Sequence, residues 1–590
     1  MLDPRVYRAG FVAVAVAVVV LGFSLRNQQG PLTSSLAPDA LNGQNSYSLT
    51  ARLANDYPNR HPGSAGDDAL AGYVAQTFGR YGFAVSTSTS LARTVDGSRT
   101  IETVSGTRPG LGGGSIVVVA HRDSLESPAP AALTGTATLL ELARVLSGET
   151  HHRSIVLVST SASAGDAGAF QVARSLGGSV DGVIALGDLG ARKLRGPVVV
   201  PWSESQRVAP PVLRNSVAAA LGAQAQIEPG GTSLAGQLVH LAFPLTLSEQ
   251  GPFGARGVPA VLLSSTGERP PPAGEQVDGD RINTMGRAVL QTINALDDGP
   301  GLPTASPYLL YDRKLVPAWA ISMLVLGLML PVLIATVDGL ARARRRGHRL
   351  LRWVIAALST VLPFALVFGL ILTARLIGWI SAAPPGPIGA GEVPLGSGPI
   401  ALLATLALLA VVSFVAVQWM WPRLEPRTAP RAGQDVDDSG RGPAVLLVLC
   451  AAVLAIWLSN PFAALLLIPA LHLWMWLLDP EARLRTPLAA TFLVIGLAPA
   501  LLAVVYYAMT LGLSPAQVLW NGVLLIAGGH LGAVTALEWA VVLGCVISII
   551  AVMRMRAGEW QAQEDAVTIR GPVTYAGPGS LGGTESALRR

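Results

Sequence analysis

Three short stretches of the chain carry side chains that could bind a metal or move a proton. His121 and Asp123 follow the apolar run Ile116–Ala120, with Arg122 between them and Ser124 after. Asp188 closes the run Ile184–Leu186, and Glu249 and Gln250 lie just ahead of Gly257-Val-Pro-Ala260. An imidazole and several carboxylates are ligands that zinc accepts; a catalytic zinc usually needs about three of them plus an open water position. Ser124 beside His121 and Asp123 also suggests nucleophilic chemistry. Neighbours on an extended strand point to opposite faces, however, so a Ser-His-Asp triad is not expected there. Gly110–Ser115 is glycine-rich, but it precedes a strand and lacks the Lys-Ser/Thr of a phosphate loop, so it reads as a connection. His151 and His152 fall in a segment, Gly148–Arg153, that reads as a solvated turn.

These residues need a scaffold, and the segment 30–298 supplies its signals. Short apolar runs at Ser115–Ala120, Ser154–Ser159, Gly182–Leu186, Pro197–Val200 and Val258–Ser264 predict strands. Amphipathic stretches at Asp67–Tyr81, Leu133–Leu146, Ala167–Leu176, Val208–Leu221 and Asp280–Leu296 predict helices. This alternation predicts an α/β domain, a mixed and mostly parallel sheet flanked by helices. Sites in such sheets form beyond the carboxyl ends of the strands. His121 with Asp123, the stretch Ser161–Gly165, and Asp188 all fall there.

The rest of the chain has another composition. Of 590 residues, 51% are hydrophobic and only 13% charged, and the charge deficit is concentrated in the second half. Apolar runs near 316–337, 353–373, 399–420, 443–459, 461–478, 487–510 and 531–553 approach the roughly 20 residues a membrane helix needs. Residues 1–29 contain one more, Gly10–Leu25, behind Arg5 and Arg8, and read as a cytoplasmic start and an uncleaved anchor. Gln517–Gly528 is apolar but short and reads as re-entrant or interfacial. That gives eight spans, with nine as the alternative. The expected order is therefore anchor 1–29, α/β domain 30–298, linker 299–315, α-helical transmembrane bundle 316–556, and disordered tail 557–590. Arginines cluster on alternate loops, at 342–352, 421–442 and 479–486. The positive-inside rule then puts the α/β domain outside the cytoplasm and predicts a multi-pass protein of the cell membrane.

The net charge is +5 and nearly all of the basic residues are arginine, Lys193 and Lys314 being the exceptions. That bias, with abundant Ala and Gly, points to a GC-rich prokaryotic genome. The charge needs no nucleic acid to explain it, because the arginine-rich loops serve topology; the expected partners are the lipid bilayer and a protein or peptide outside the cytoplasm. Cys450 and Cys545 both lie in apolar runs, so no disulfide framework is expected. His472, His530 and Glu538 lie in or near spans and are functional candidates by default.

Taken in order, several stretches resemble the M28 family of zinc aminopeptidases. They are Tyr57-Pro-Asn-Arg-His-Pro-Gly-Ser64, Ile116-Val-Val-Val-Ala-His121-Arg-Asp123-Ser124, Gly135-Thr-Ala-Thr-Leu-Leu-Glu-Leu-Ala-Arg144, Ile184-Ala-Leu-Gly-Asp188-Leu and Ser248-Glu-Gln-Gly-Pro-Phe253. Together with Gly257–Ala260 they cover nearly all of 50–297. The resemblance implies a two-zinc site held by a His, a bridging Asp, a Glu, an Asp and a second His, with a neighbouring Glu as general base. Carried over by position, His121, Asp123 and Asp188 are retained. Ala131 stands where the bridging Asp is expected, Ala162 and Ser163 where the Glu pair is expected, and Gln250 where the last His is expected. The resemblance thus implies a degenerate site, with Asp188 free to pair with His121. No cofactor is expected. Zinc enters only if substitutes such as Glu249 or Glu126 complete a ligand set. The layout is also similar to membrane-bound M28 metallopeptidases, which keep their ligands, and to the large membrane subunit of the GPI transamidase, which lacks most of them. The leading expectation is an inactive peptidase-like domain that binds a substrate or protein within a membrane complex. A zinc aminopeptidase with substitute ligands is the alternative, and a transporter or lipid-handling protein is the second.

Overall fold

A computed structural model describes residues 4–347, 350–392, 395–424, 440–479, 482 and 484–567. Ten strands occur among them. β1 (Arg26–Asn27), β9 (Tyr308–Tyr311) and β10 (Lys314–Pro317) form a small antiparallel sheet in the order β1-β10-β9. The other seven are β2 (Ala84–Thr94), β3 (Gly97–Arg108), β4 (Ser115–His121), β5 (Ser154–Thr160), β6 (Val180–Leu186), β7 (Val199–Val200) and β8 (Ala260–Leu263). They form one mixed sheet in the order β2-β3-β5-β4-β6-β8-β7.

The central strands β5, β4, β6 and β8 run parallel, as their uninterrupted apolar character requires of strands buried on both faces. Ile116, Val117, Val118, Val119 and Ala120 are wholly buried. Register matters for the site: His121 pairs with Thr160, and Ala120 with Leu186, so three strands end at one level. Helices pack on the sheet. Ala65–Arg80 is capped by the Ser64 side chain, which accepts from Asp67 N, and Gly279–Asp298 by Asp278. Thr134–Leu146, buried on nearly every side, lies under the β4 end.

All five expected strands and all five expected helices have counterparts. The hairpin β2–β3 was not anticipated, although it is the longest pairing in the sheet, from Ala84↔Thr107 to Thr94↔Gly97. β2 is an edge strand of Ser and Thr, mostly exposed, and has no apolar alternation to announce it. Helices Gly43–Asp56 and Leu234–Ala242 were also unforeseen, though Asn42 and Ser233 cap them. The expected linker is not a plain connection: its second half forms β9 and begins β10.

Among the described residues seven helices are long and apolar enough to cross a membrane, the layout of a multi-pass membrane protein. They include Pro4–Ser24, whose Gly10 lies so close to Pro331 that a Cβ would sit 2.5 Å from its Cα. The first helix is therefore part of the bundle, packed as small residues allow in membranes. One span expectation is corrected. The run 461–478 is broken into Pro461–Leu466 and Ile468–Leu478, because Pro461 and Pro469 each start a new helix, and neither piece spans. Among the described residues the bundle therefore has six long apolar helices, where seven spans are expected. Pro515–Gly528, at 14 residues, is only about 21 Å long and too short to cross, as expected of an interfacial piece. At the C-terminus, Ala533–Val567 is one helix, so the first part of the expected disordered tail is helical; 568–590 lie outside the described residues.

The strand ends of the α/β domain face the bundle. Asn460 Nδ2 donates to Leu241 O and Ala242 O, both at 3.0 Å, and Tyr507 OH donates to Phe243 O. Arg93 Nη2 donates to Gly528 O at 3.0 Å, and Arg269 donates to the carbonyls of Met509 and Thr510.

Candidate functional site

Alternation at the end of β4 sorts three consecutive side chains. Arg122 turns back into the domain and is wholly buried, while His121 and Asp123 line a cavity of about 360 Å³ beyond the strand ends. Its other walls come from the loops after β5, β6 and β8, from Leu247–Glu249, and from two pieces of the bundle, Gly389–Glu392 and Leu511–Gly512.

Asp123 does not point at a ligand. Its carboxylate accepts from Ser163 N at 3.0 Å and from Ser163 Oγ at 3.0 Å, which pins the loop after β5. Burial raises its pKa, against the lowering pull of His121. Glu249 lies beside His121: its Oε2 is 3.7 Å from His121 Nδ1, and its Oε1 accepts from Thr160 Oγ1. Burial pushes the His121 imidazole down, but Glu249, with Asp123 and Glu392, outweighs it and leaves the pKa raised.

Asp188 is separate from this pair, contrary to the expectation that it joins His121. Its Oδ1 accepts from Thr134 Oγ1 at 3.1 Å, Gly190 N at 2.9 Å and Ala191 N at 3.0 Å. That pattern ties down the turn after β6. Oδ2 has no partner, and burial raises the group to about 6. Gln250 lies off the cavity: its Nε2 donates to Trp202 O at 3.2 Å and Thr246 Oγ1 at 2.9 Å. The pocket-facing member of that dipeptide is Glu249. Ala131 sits in the short turn Pro130–Leu133, and Ala162, at φ 61°, packs against Ala92, Ile101 and Ala167. Neither has a donor atom to offer. Glu126 Oε2 accepts from Ala273 N at 2.8 Å. His151 is buried rather than solvated, with Nε2 3.1 Å from Leu146 O and Nδ1 3.5 Å from Asp297.

This donor set does not fit zinc. His121 and Glu249 are neighbours, but Asp123 is held by Ser163, and Asp188 Oδ1 by Thr134 and two backbone amides, so that Asp188 Oδ2 alone of these four oxygens has no partner. Among the described residues no three His, Cys, Asp or Glu side chains are grouped to hold a metal ion. A zinc site needs ligands converging at about 2.0–2.3 Å.

Four acids were missed in the sequence: Asp166, Glu204, Glu268 and Glu392. Asp166 follows the loop after β5, is 1% exposed, and has no partner for either carboxylate oxygen. Burial raises its pKa well above the ordinary range, and Glu204, Glu249, Glu392 and Glu268 press it further. Burial also raises Glu204 to about 8 and Glu268 and Glu392 to about 7. One signal was available: Glu392 is the lone acid in the nearly uncharged loop 374–398.

The chain matches no family model. It also matches no curated protein. Among solved structures it is similar over 43% of its length to a leucine aminopeptidase precursor from Bacteroides thetaiotaomicron, at 16% identity and a TM-score of 0.37, covering 97% of that chain. A Zn-dependent exopeptidase from Parabacteroides distasonis is similar at 16% identity and a TM-score of 0.36, over 44% of this chain and 99% of that one. A glutaminyl cyclase from Porphyromonas gingivalis is similar at 18% identity and a TM-score of 0.35, over 43% of this chain and 98% of that one. The α/β assignment itself rests on the strand order and pairing described above.

The two histidine candidates expected in or near spans have structural partners. His472 bonds Tyr7 OH at 2.8 Å and Leu328 O at 2.9 Å, and His530 bonds Pro244 O at 3.1 Å.

Proposed function

We propose that the chain is a membrane-anchored binding protein whose α/β domain has a peptidase-like site without peptidase chemistry. It holds a peptide, a protein terminus or a lipid-linked substrate within a membrane complex. The arginine-rich loops support a location of this domain outside the cytoplasm. The observation that carries the reading is the donor set at the strand ends. His121 has one carboxylate neighbour, Glu249, and Ala131 and Ala162 stand where the resemblance to the zinc aminopeptidases implies a shared acid and a proton acceptor. Such a set lacks the three converging ligands that a water-activating zinc requires. It keeps a cavity of about 360 Å³ whose walls combine apolar residues with several acidic groups, which is what small-ligand recognition needs.

The competing reading is a zinc aminopeptidase in which Glu249 substitutes for a lost ligand, and the 3.7 Å approach of Glu249 to His121 is the observation in its favour. Turnover of amino-acid p-nitroanilides by the purified full chain, with zinc supplied, separates the two. The binding reading expects no turnover above that of Glu249→Ala. Turnover that depends on both zinc and Glu249 would establish the peptidase instead.

A further inference from the structure

We propose that the strand-end cavity is a composite cation site: the α/β domain supplies Asp166, the 384–392 loop of the membrane bundle supplies the outer wall with Glu392, and the group received is a ligand's ammonium. This rests on the binding reading above and names what the site binds and how it is closed.

Asp166 is the first support. It occupies the N-cap of helix Ala167–Ser175, where an Asp ordinarily turns its carboxylate onto the helix amides. Here it makes no such bond. Its backbone is left-handed, at φ 56°, and its carboxyl group lines the cavity with both oxygens unpartnered. A buried polar group left unsatisfied costs about 1–3 kcal/mol, so this arrangement needs a compensating partner. Rules of local structure are broken most often where a site requires it.

The second support is the construction of the wall. Gly386 N donates to Gly165 O at 2.9 Å, directly beside Asp166. Gly165 has no room for a side chain, since a Cβ would lie 2.4 Å from Pro384 Cβ. The interfacial helix Pro515–Gly528 holds the same loop from the bundle side, with Asn521 Nδ2 donating to Ile388 O at 2.9 Å and Gln517 Nε2 to Ala390 O at 3.0 Å. Glu392 is oriented by Gly389 N, which donates to its Oε2 at 2.6 Å. The wall is therefore tied to both halves of the molecule.

The third support is the sign and spacing of charge. Asp123, Asp166, Glu249, Glu268 and Glu392 line the cavity. Of the basic groups there, His121 is engaged by Glu249, Arg269 donates to Met509 O and Thr510 O, and Arg195 lies at the exposed rim. These acids do not converge as a metal needs. An ammonium has three donors that reach separate acceptors and tolerates such spacing. The cavity also borders Leu511 and Gly512, at the end of the long apolar helix Thr486–Leu511, which puts it within reach of headgroups where that helix crosses a membrane. The ammonium can thus come from a lipid headgroup or from a soluble peptide amine.

The test uses the full chain in phosphatidylglycerol nanodiscs, titrated with leucinamide and with N-acetylleucinamide. The free amine is expected to bind and raise the melting temperature, and the acetylated compound is not. Asp166→Asn should weaken binding about tenfold or more, the loss of one charge-assisted hydrogen bond, while raising the melting temperature of the unliganded protein. Glu392→Gln should also weaken binding, although it lies in the bundle. Repeating the titration with phosphatidylethanolamine in the discs separates the sources: competition assigns the ammonium to the lipid, and undiminished binding assigns it to a soluble amine. No binding of either amine source, equal binding of the acetylated compound, or parent-like affinity in both variants would overturn the proposal. Hydrolysis of leucinamide would instead show that the binding reading beneath it has failed.

Discussion

Two polar clusters lie back to back at the end of β4, and they are built on opposite terms. Behind the strand, Arg122 pairs with Asp67 at 2.8 Å, both fully buried, and also donates to Ser159 O, Thr160 O and Glu102 O. Arg60 beside it donates to Arg122 O, Tyr57 O and Ala129 O. Both guanidinium groups are thus engaged by acceptors on several segments. In front, on the side to which the neighbouring His121 and Asp123 turn, the cavity carries Asp166 and Asp188 oxygens with no partner. The rear cluster is a closed network that fixes the strand ends. The front cluster is left open, at a cost in stability, and that asymmetry is what the proposed binding role requires of a surface beside a structural joint.

The rear network should give the largest effect when broken. Asp67→Ala leaves the Arg122 guanidinium buried without its counter-ion, a loss of about 3–5 kcal/mol. It should appear as a large drop in the α/β domain's melting temperature; a parent-like melt would contradict the contrast. The front cluster should respond in the opposite sense. Burial raises Glu204 to about 8 and Glu268 to about 7, so the folded domain prefers these groups protonated. Their contribution is full below their ordinary values and is lost as pH rises through the raised ones. The melting temperature should therefore fall between about pH 5 and about pH 8, and Glu204→Gln should flatten the upper part of that fall. A parent whose stability is constant or rising over this range would remove the argument. The smallest effect concerns the joint to the bundle. Gly165→Ala meets both a positive φ of 76° and Pro384, and should cost about 1 kcal/mol while making the 384–392 loop more protease-sensitive. Unchanged proteolysis there would mean that the loop does not rest on Gly165.

The same contrast explains what could be read from sequence. The parallel strands β4, β5, β6 and β8 declare themselves because strands buried on both faces are uninterrupted apolar runs, and residues at their carboxyl ends stand out against them. His121, Asp123 and Asp188 were found that way. Which way each side chain turns was not legible. Asp188 is captured by Gly190 and Ala191 two and three residues on, and Gln250 by Trp202, a partner 48 residues away. Asp166 and Glu392 were missed because the signal is a meeting of distant segments: one acid follows β5, the other sits in a loop between two spans, and only folding brings them to one cavity. The exposed strand β2 was missed because an edge strand of Ser and Thr has no buried face to impose a pattern.

The proposed binding role requires that the strand-end cavity not assemble a zinc-activated water. Its most direct test is the metal content of the purified full chain, produced with zinc in the medium, dialysed, and measured by inductively coupled plasma mass spectrometry alongside His121→Ala. The expected result is far less than stoichiometric zinc in both proteins. Stoichiometric zinc in the parent, lost in His121→Ala, would contradict the account.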